Sequence, residues 1–192
     1  MRRGLVVAAV TVVAVALGIG ANLVEDRLEP YGPTGVDGTL GEDVDVYPYR
    51  VHVHGSQVAT HVLDTGVFDA TTVDSDGIWV VVDLSYATFD EVRSPFGSGM
   101  VVRDDRGREY PISVRADASE WLAGADIWVR GQLAFEVAPD AVESLSLVFD
   151  PTFALYGPLP TTYATIPLSL DDGDVVTSVE LTDVEVLPVG ER

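Results

Sequence analysis

Cysteine is absent from the 192 residues. Its absence excludes disulfides, thiolate metal sites, a thiol nucleophile and a lipid-modified cysteine. Lysine is absent as well, so all eleven basic residues are arginines, set against thirty-one acids for a formal net charge of -20. With so little positive charge, the phosphates of nucleic acid or of anionic lipid headgroups would meet a surface of their own sign. A glycine-rich phosphate loop between a strand and a helix is also missing. Helical periodicity is lacking beyond the N-terminus, except over 116–124, where Asp117 or Ser119 is placed to cap one short turn. A domain of about 150 residues buries roughly two thirds of its unfolded surface, so a core alone suffices without covalent staples.

What is present begins with an apolar run. From Gly4 to Val24 the only polar side chains are Thr11 and Asn22, with Arg2 and Arg3 before the run and Glu25 and Asp26 after it. At 1.5 Å per residue the run reaches about 31 Å as a helix, the thickness of a bilayer's hydrocarbon core. Positive flanks stay cytoplasmic, which sends the remainder outside. Secretory apolar regions are usually shorter, which favours an uncleaved anchor. Cleavage remains the alternative, with small-x-small sites at Ala14-Val15-Ala16 and Gly18-Ile19-Gly20. Arg2-Arg3 lacks the flanking pattern of a twin-arginine signal. The expected organisation is a membrane anchor over residues 1–24, a flexible acidic stalk over 25–45 and an extracytoplasmic domain over 46–192. Beyond the anchor, nine basic residues face thirty-one acids, a formal -22. That imbalance serves solubility or draws cations or a basic partner.

The domain reads as strands. Tyr49 to His54 alternates, placing Tyr49, Val51 and Val53 on one face. Val67-Phe68 and Thr71 to Val73 extend a second stretch, with Asp74-Ser75-Asp76-Gly77 as its closing turn. Ile78 to Tyr86 is the clearest strand, rich in β-branched and aromatic residues. Met100 to Ile112 forms a hairpin around Asp104-Asp105-Arg106-Gly107. Ile127 to Val137 is a strand bent at Gly131 and ended by Pro139-Asp140, and Leu145 to Phe149 alternates. Tyr163 to Leu170, a turn at Asp171 to Asp174 and one long alternation from Val175 to Val186 complete the chain. About eight short strands predict an all-β, antiparallel, immunoglobulin-like sandwich behind a single transmembrane helix.

Several of these segments resemble a bacterial envelope family of unknown function with a telokin-like, immunoglobulin-related sandwich. Tyr49-Arg50-Val51-His52-Val53 is similar to its opening strand, and Asp76 to Asp83 to its central strand entered through a glycine turn. Asp104 to Tyr110 is similar to its acid–glycine–basic–tyrosine hairpin, and Gly131 to Val137 followed by Pro139 to its late strand. The likeness spans about Gly41 to Leu187. Family members often carry an asparagine after the central strand, where Tyr86-Ala87-Thr88-Phe89 stands here. The resemblance implies a fold and an envelope address, and it supplies no catalytic residues.

Candidate chemistry is sparse. His52 and His54 share one face of a strand, with His61 nearby, a spacing that ligates zinc or copper only with further ligands. Alternation places them on the solvated face. Asp74 to Gly77 and Asp171 to Asp174 resemble fragments of calcium loops but lack the later bidentate glutamate, and aspartate with glycine is ordinary turn chemistry. Gly97-Ser98-Gly99 lacks the spacing of a nucleophile elbow. Trp79 is expected to pack in the core. Trp121-Leu122 is expected to plug one end of the sandwich or to present a contact there, and Pro158, Pro160 and Tyr163 to shape a neighbouring edge. No catalytic, cofactor-binding or metal-binding residue is assigned. The expectation is a non-catalytic, single-pass interaction or accessory domain of the cell membrane. The membrane through the N-terminal helix and an envelope protein are its expected partners, and nucleic acid is not. A small-ligand or divalent-cation binder is the alternative, with an enzyme third.

Overall fold

The computed structural model describes residues 34–64, 71–94, 99–116, 121–151, 162–170 and 175–192. Eleven strands run through them: β1 (Thr34–Asp37), β2 (Asp43–Val46), β3 (Tyr49–Asp64), β4 (Thr71–Thr88), β5 (Met100–Asp104), β6 (Glu109–Pro111), β7 (Val129–Val137), β8 (Leu145–Phe149), β9 (Thr162–Pro167), β10 (Val175–Glu180) and β11 (Glu185–Val186). A short 3-10 helix, Pro139–Ser144, follows β7. Its first-turn proline has no N–H to donate to a continuing ladder, so the strand ends where Pro139 predicts.

Two sheets result, ordered β1-β9-β8-β5-β6 and β10-β3-β4-β7-β11, with β2 also paired to β3. They face each other across one apolar core. Tyr49, Val51, Val53, Val82, Leu84, Tyr86 and Phe135 from the larger sheet meet Met100, Val102, Leu147, Phe149 and Ile166 from the smaller. Tyr49 and Phe149 meet edge to face across the gap, their ring centroids 5.5 Å apart. Burying each such large side chain stabilises the fold by about 1.5–3 kcal/mol. The chain is thus mainly β and folded as a sandwich.

The structure departs from the sequence reading in several places. The flexible stalk does not extend over 34–45, where β1 pairs with β9 and β2 pairs with β3. Asp43-Val44-Asp45-Val46 alternates, with Val44 and Val46 buried, whereas β1 is a largely exposed edge strand. The sheets are not wholly antiparallel, since β1 runs parallel to β9 and β10 parallel to β3. Parallel neighbours need a long crossover, and these pairs lie far apart in the chain. The alternation from Val175 to Val186 is two strands on opposite edges of the larger sheet. Leu181 N–H still donates to Leu63 O at the β3 edge, whereas Glu185 lies opposite Arg130 on β7. The predicted helical anchor at 1–24 lies outside the described residues, and so do Asp117 and Ser119. Among the described residues no helix is long and apolar enough to cross a membrane.

Asp74 to Gly77, expected as a turn, sits inside β4 as a bulge. Ala59 pairs with Trp79 and His61 with Asp74, so Ser75 to Ile78 stand against Thr60 alone. A bulge bends its strand and strengthens the local twist. The far half of β3 and β4 then joins a second apolar cluster, in which Val62, Val179 and Leu181 gather with Trp79, Val81 and Ala134. Trp79 donates its indole N–H to Val73 O across the bulge, at 3.1 Å. Glycine is required at Gly77, because a Cβ there would stand 2.3 Å from Val137 O.

The β5–β6 hairpin turns where its residues predict. Gly107 adopts a left-handed φ of 78°, the backbone conformation glycine takes without a steric cost. The Asp104 carboxylate accepts the backbone N–H groups of Arg106 and Arg108 at 3.0 and 2.8 Å, and Arg108 Nε at 2.5 Å. Arg106 and Arg108 both reach Asp140, at 2.6 and 3.0 Å, which ties the hairpin to the 3-10 helix.

Candidate functional site

Two features of the larger sheet stand out. The first is a row of polar residues in cross-strand register over five strands: Asp43 opposite His52, His52 opposite Ser85, Ser85 opposite Arg130, and Arg130 opposite Glu185. Their neighbours Val44, Val51, Val53, Leu84, Tyr86 and Val129 belong to the main core, so alternation sends the row to the outer face.

Most ionisable groups of this row are paired, with one another or with side chains beside them. His52 Nδ1 lies 2.8 Å from Asp43 Oδ1, and Arg192 Nε donates to Asp43 Oδ2 at 2.9 Å. The Arg192 guanidinium lies 4.5 Å from the centre of the Trp128 ring. His54 Nε2 is hydrogen-bonded to Ser85 Oγ at 3.1 Å, with the two imidazole centroids 4.6 Å apart. Arg130 grips both Asp83 oxygens, at 3.0 and 2.7 Å. Burial, helped by the nearby Arg130 charge, lowers the His54 pKa and favours its neutral form. Burial alone would raise the Asp43 carboxyl, but hydrogen bonds from His52 and Arg192 outweigh it and hold the pKa below the ordinary value. The fork to Asp83 raises the Arg130 pKa against the smaller effect of burial.

A cleft of about 370 Å³ opens beside the row, where Asp83, Arg130 and Gln132 meet Thr182, Asp183 and Glu185. Its wall is the crossing from β10 to β11, held by Thr182 N–H donating to Gln132 Oε1 at 3.0 Å.

The geometry limits the chemistry available here. Ser85 and His54 stand at the distance of a nucleophile and its base, yet Ser85 is fully buried. A substrate carbonyl has no path to its oxygen, and attack requires that contact. The guanidinium of Arg130 is already matched by Asp83. Among the described residues no group of three histidines or carboxylates is placed to hold a metal ion. The histidines predicted together divide in two: His52 and His54 share the row, while His61 pairs with Asp74 at the bulge, 2.8 Å away. Nor are the first two freely solvated as alternation suggests, since the His52 side chain is 14% exposed and His54 is half-buried. Sequence signals this row only weakly, because Asp43, Ser85, Arg130 and Glu185 become neighbours of His52 through register alone. Gly97, Ser98, Pro158, Pro160 and Asp171 to Asp174 include or adjoin the remaining sequence candidates, and all lie outside the described residues.

The second feature is one end of the sandwich, where the β2–β3 turn, the segment after β4 and the segment before β7 meet. Phe89 N–H donates to Pro48 O, Asp126 N–H to Thr88 O, and Arg93 and Ala123 exchange two backbone bonds, all at 2.9–3.1 Å. Trp121 is the expected plug: it is buried and stacks on Tyr86 with centroids 6.2 Å apart. Its ring lies against Gly131, where a Cβ would come within 2.7 Å. Gly131 therefore admits the tryptophan. The adjacent Leu122 points outward at 63% exposure, in company with Tyr47 at 58%, Val92 at 68% and Ile127 at 51%. Tyr47 and Phe89 stack with centroids 6.3 Å apart.

No protein-family model matches the chain, and no curated protein matches it. Among solved structures it aligns with the yjhA protein from Bacillus subtilis, at 13% identity and a TM-score of 0.48, over 67% of this chain and 98% of that one. It also aligns with an uncharacterized β-sandwich protein from Clostridium difficile 630, at 7% identity and a TM-score of 0.44, over 69% of this chain and 95% of that one.

Proposed function

We propose that the chain is a non-catalytic interaction or accessory domain, an immunoglobulin-like sandwich of the cell envelope held outside the cytoplasmic membrane by residues 1–24. The carrying observation is the contrast between its two surface features. In the polar row His52 is paired with Asp43 and Arg130 with Asp83, whereas the loop end leaves large apolar side chains in water. Exposed apolar groups gathered in one place mark contact sites. The apolar run from Gly4 to Val24, with arginines before it and acids after it, supports the anchor and its orientation. Its telokin-like envelope resemblance fits the same address. The partner is an envelope protein, and the acidic surface disfavours nucleic acid.

The cleft beside Arg130 favours a second reading, a small-ligand binder, because 370 Å³ lies within the size range of ligand pockets. Ligand binding to the folded state would raise the melting temperature as ligand is added.

Membrane extraction with external proteolysis tests the primary reading. The full chain is expected to stay in alkali-washed membranes and to be digested by protease added outside spheroplasts. Recovery in the wash, with a mature N-terminus near Ala21, would contradict the anchor.

A further inference from the structure

We infer that the loop end is the docking surface, and that it fits a protein face presenting apolar side chains flanked by arginine or lysine. This rests on the interaction reading above and names the partner chemistry for it.

Five side chains form the apolar part: Tyr47, Phe89, Val92, Leu122 and Ile127, between 36% and 68% exposed. Register makes three of them neighbours. Arg93 and Ala123 are antiparallel bridge partners, so Val92 lies opposite Gly124 and on its side of the ladder. Leu122 is two residues from Gly124 and shares that side. A Cβ on Gly124 would meet Ile127 Cδ1 at 3.2 Å, which brings Ile127 to the same place. Ala123, of opposite parity, is buried. Asp126 takes a left-handed backbone with φ 56° in the turn closed by Ile127 N–H donating to Gly124 O at 3.2 Å. Backbone bonds between the three segments hold the face ready-formed, which reduces the ordering cost of binding.

Charge selects the occupant. Asp90, Glu91 and Asp126 ring the apolar residues and are exposed. With Asp45, four carboxylates stand there against two arginines: Arg50 Nε pairs with Asp45 at 2.6 Å, and Arg93 with Glu91 and Asp90 at 3.0 and 3.6 Å. The rim is therefore net acidic and complements a basic partner face. A second copy of this chain, with the same rim and the same acidic excess, is repelled. An anionic lipid surface is repelled for the same reason.

The test places a photoactivatable benzoylphenylalanine at Val92, at Leu122 or, as a control on the opposite sheet, at Glu109, in the full chain in cells. All three positions are exposed, so the fold tolerates the label. Peptides attached after irradiation are sequenced by mass spectrometry. Val92 and Leu122 are expected to capture one shared peptide with apolar residues beside arginine or lysine, and Glu109 is not. Glu91→Lys should lower that yield several-fold in isolated membranes, and the loss should shrink as salt screens the rim. Capture of this chain's own peptides, of lipid, or of a peptide without basic residues would overturn the inference. Capture from Glu109 but neither loop position would overturn the surface and leave the interaction reading standing. Silence at all three positions would overturn both.

Discussion

A Cβ added at Gly77 would stand 2.3 Å from the Val137 carbonyl oxygen, and one at Gly55 would meet nothing within 4 Å. Backbone cannot swing aside as a side-chain tip does, so Gly77→Ala is expected to destabilise the fold by about 1–3 kcal/mol, the cost of overpacking. Gly55→Ala is expected to stay within about 1 kcal/mol of the parent. Urea denaturation of the two variants side by side reads the difference. At His54 the folded state disfavours the proton, so the unfolded chain binds more protons below its ordinary pKa near 6.5. The stabilisation is complete above that pH and is lost as pH falls toward the lowered folded value. His54→Gln should remove that slope from melting temperatures recorded between about pH 7 and 5. An unchanged slope would assign it to other groups.

At the scale of elements, hairpins and strand ends were legible in the residues and the long-range partners were not. Asp104 to Gly107 turns where predicted because turn chemistry is local, and Pro139 ends β7 for the same reason. The polar row resisted reading because register over five strands assembles it. The bulge at Asp74 to Gly77 was read as a turn because aspartate and glycine serve both structures, and only the paired strand distinguishes them. β1 and β2 lie in a segment whose composition describes a linker, and their strand character comes from β9 and β3. The hairpin's tie to the 3-10 helix makes its own prediction. Loss of hydration tends to raise the Asp104 carboxyl, but its bonds from Arg108 and Arg106 leave the pKa lowered. The Asp140 pKa is lowered by the Arg108 bond against the opposing effect of burial, with Arg106 adding to it. Both contributions are present above the ordinary carboxylate pKa of about 4 and disappear as pH falls below it. Asp140→Asn should therefore lower the melting temperature at neutral pH, change little at acid pH where the contribution is already gone, and so flatten the acid limb. A parent-like acid limb would contradict the tie.

For the whole molecule, β1 begins at Thr34, so the proposed anchor would have a short tether. Only residues 25–33 remain between the apolar run and the sandwich, which at about 3.3 Å per residue extend to roughly 30 Å at most. The proposed envelope partner would then lie near the membrane surface. The absence of lysine side chains also shapes the experiment: amine-reactive reagents find no side chain on this protein, whereas its thirty-one carboxylates suit carbodiimide-type or photoactivated chemistry. The most direct test is carboxyl-directed crosslinking of the full chain in intact cells, in the parent and in Leu122→Glu, with mass spectrometry of what is attached. One dominant membrane neighbour in the parent, strongly depleted in Leu122→Glu at equal protein level, is the predicted result. No reproducible neighbour in the parent would contradict the interaction account and direct attention to the cleft beside Arg130.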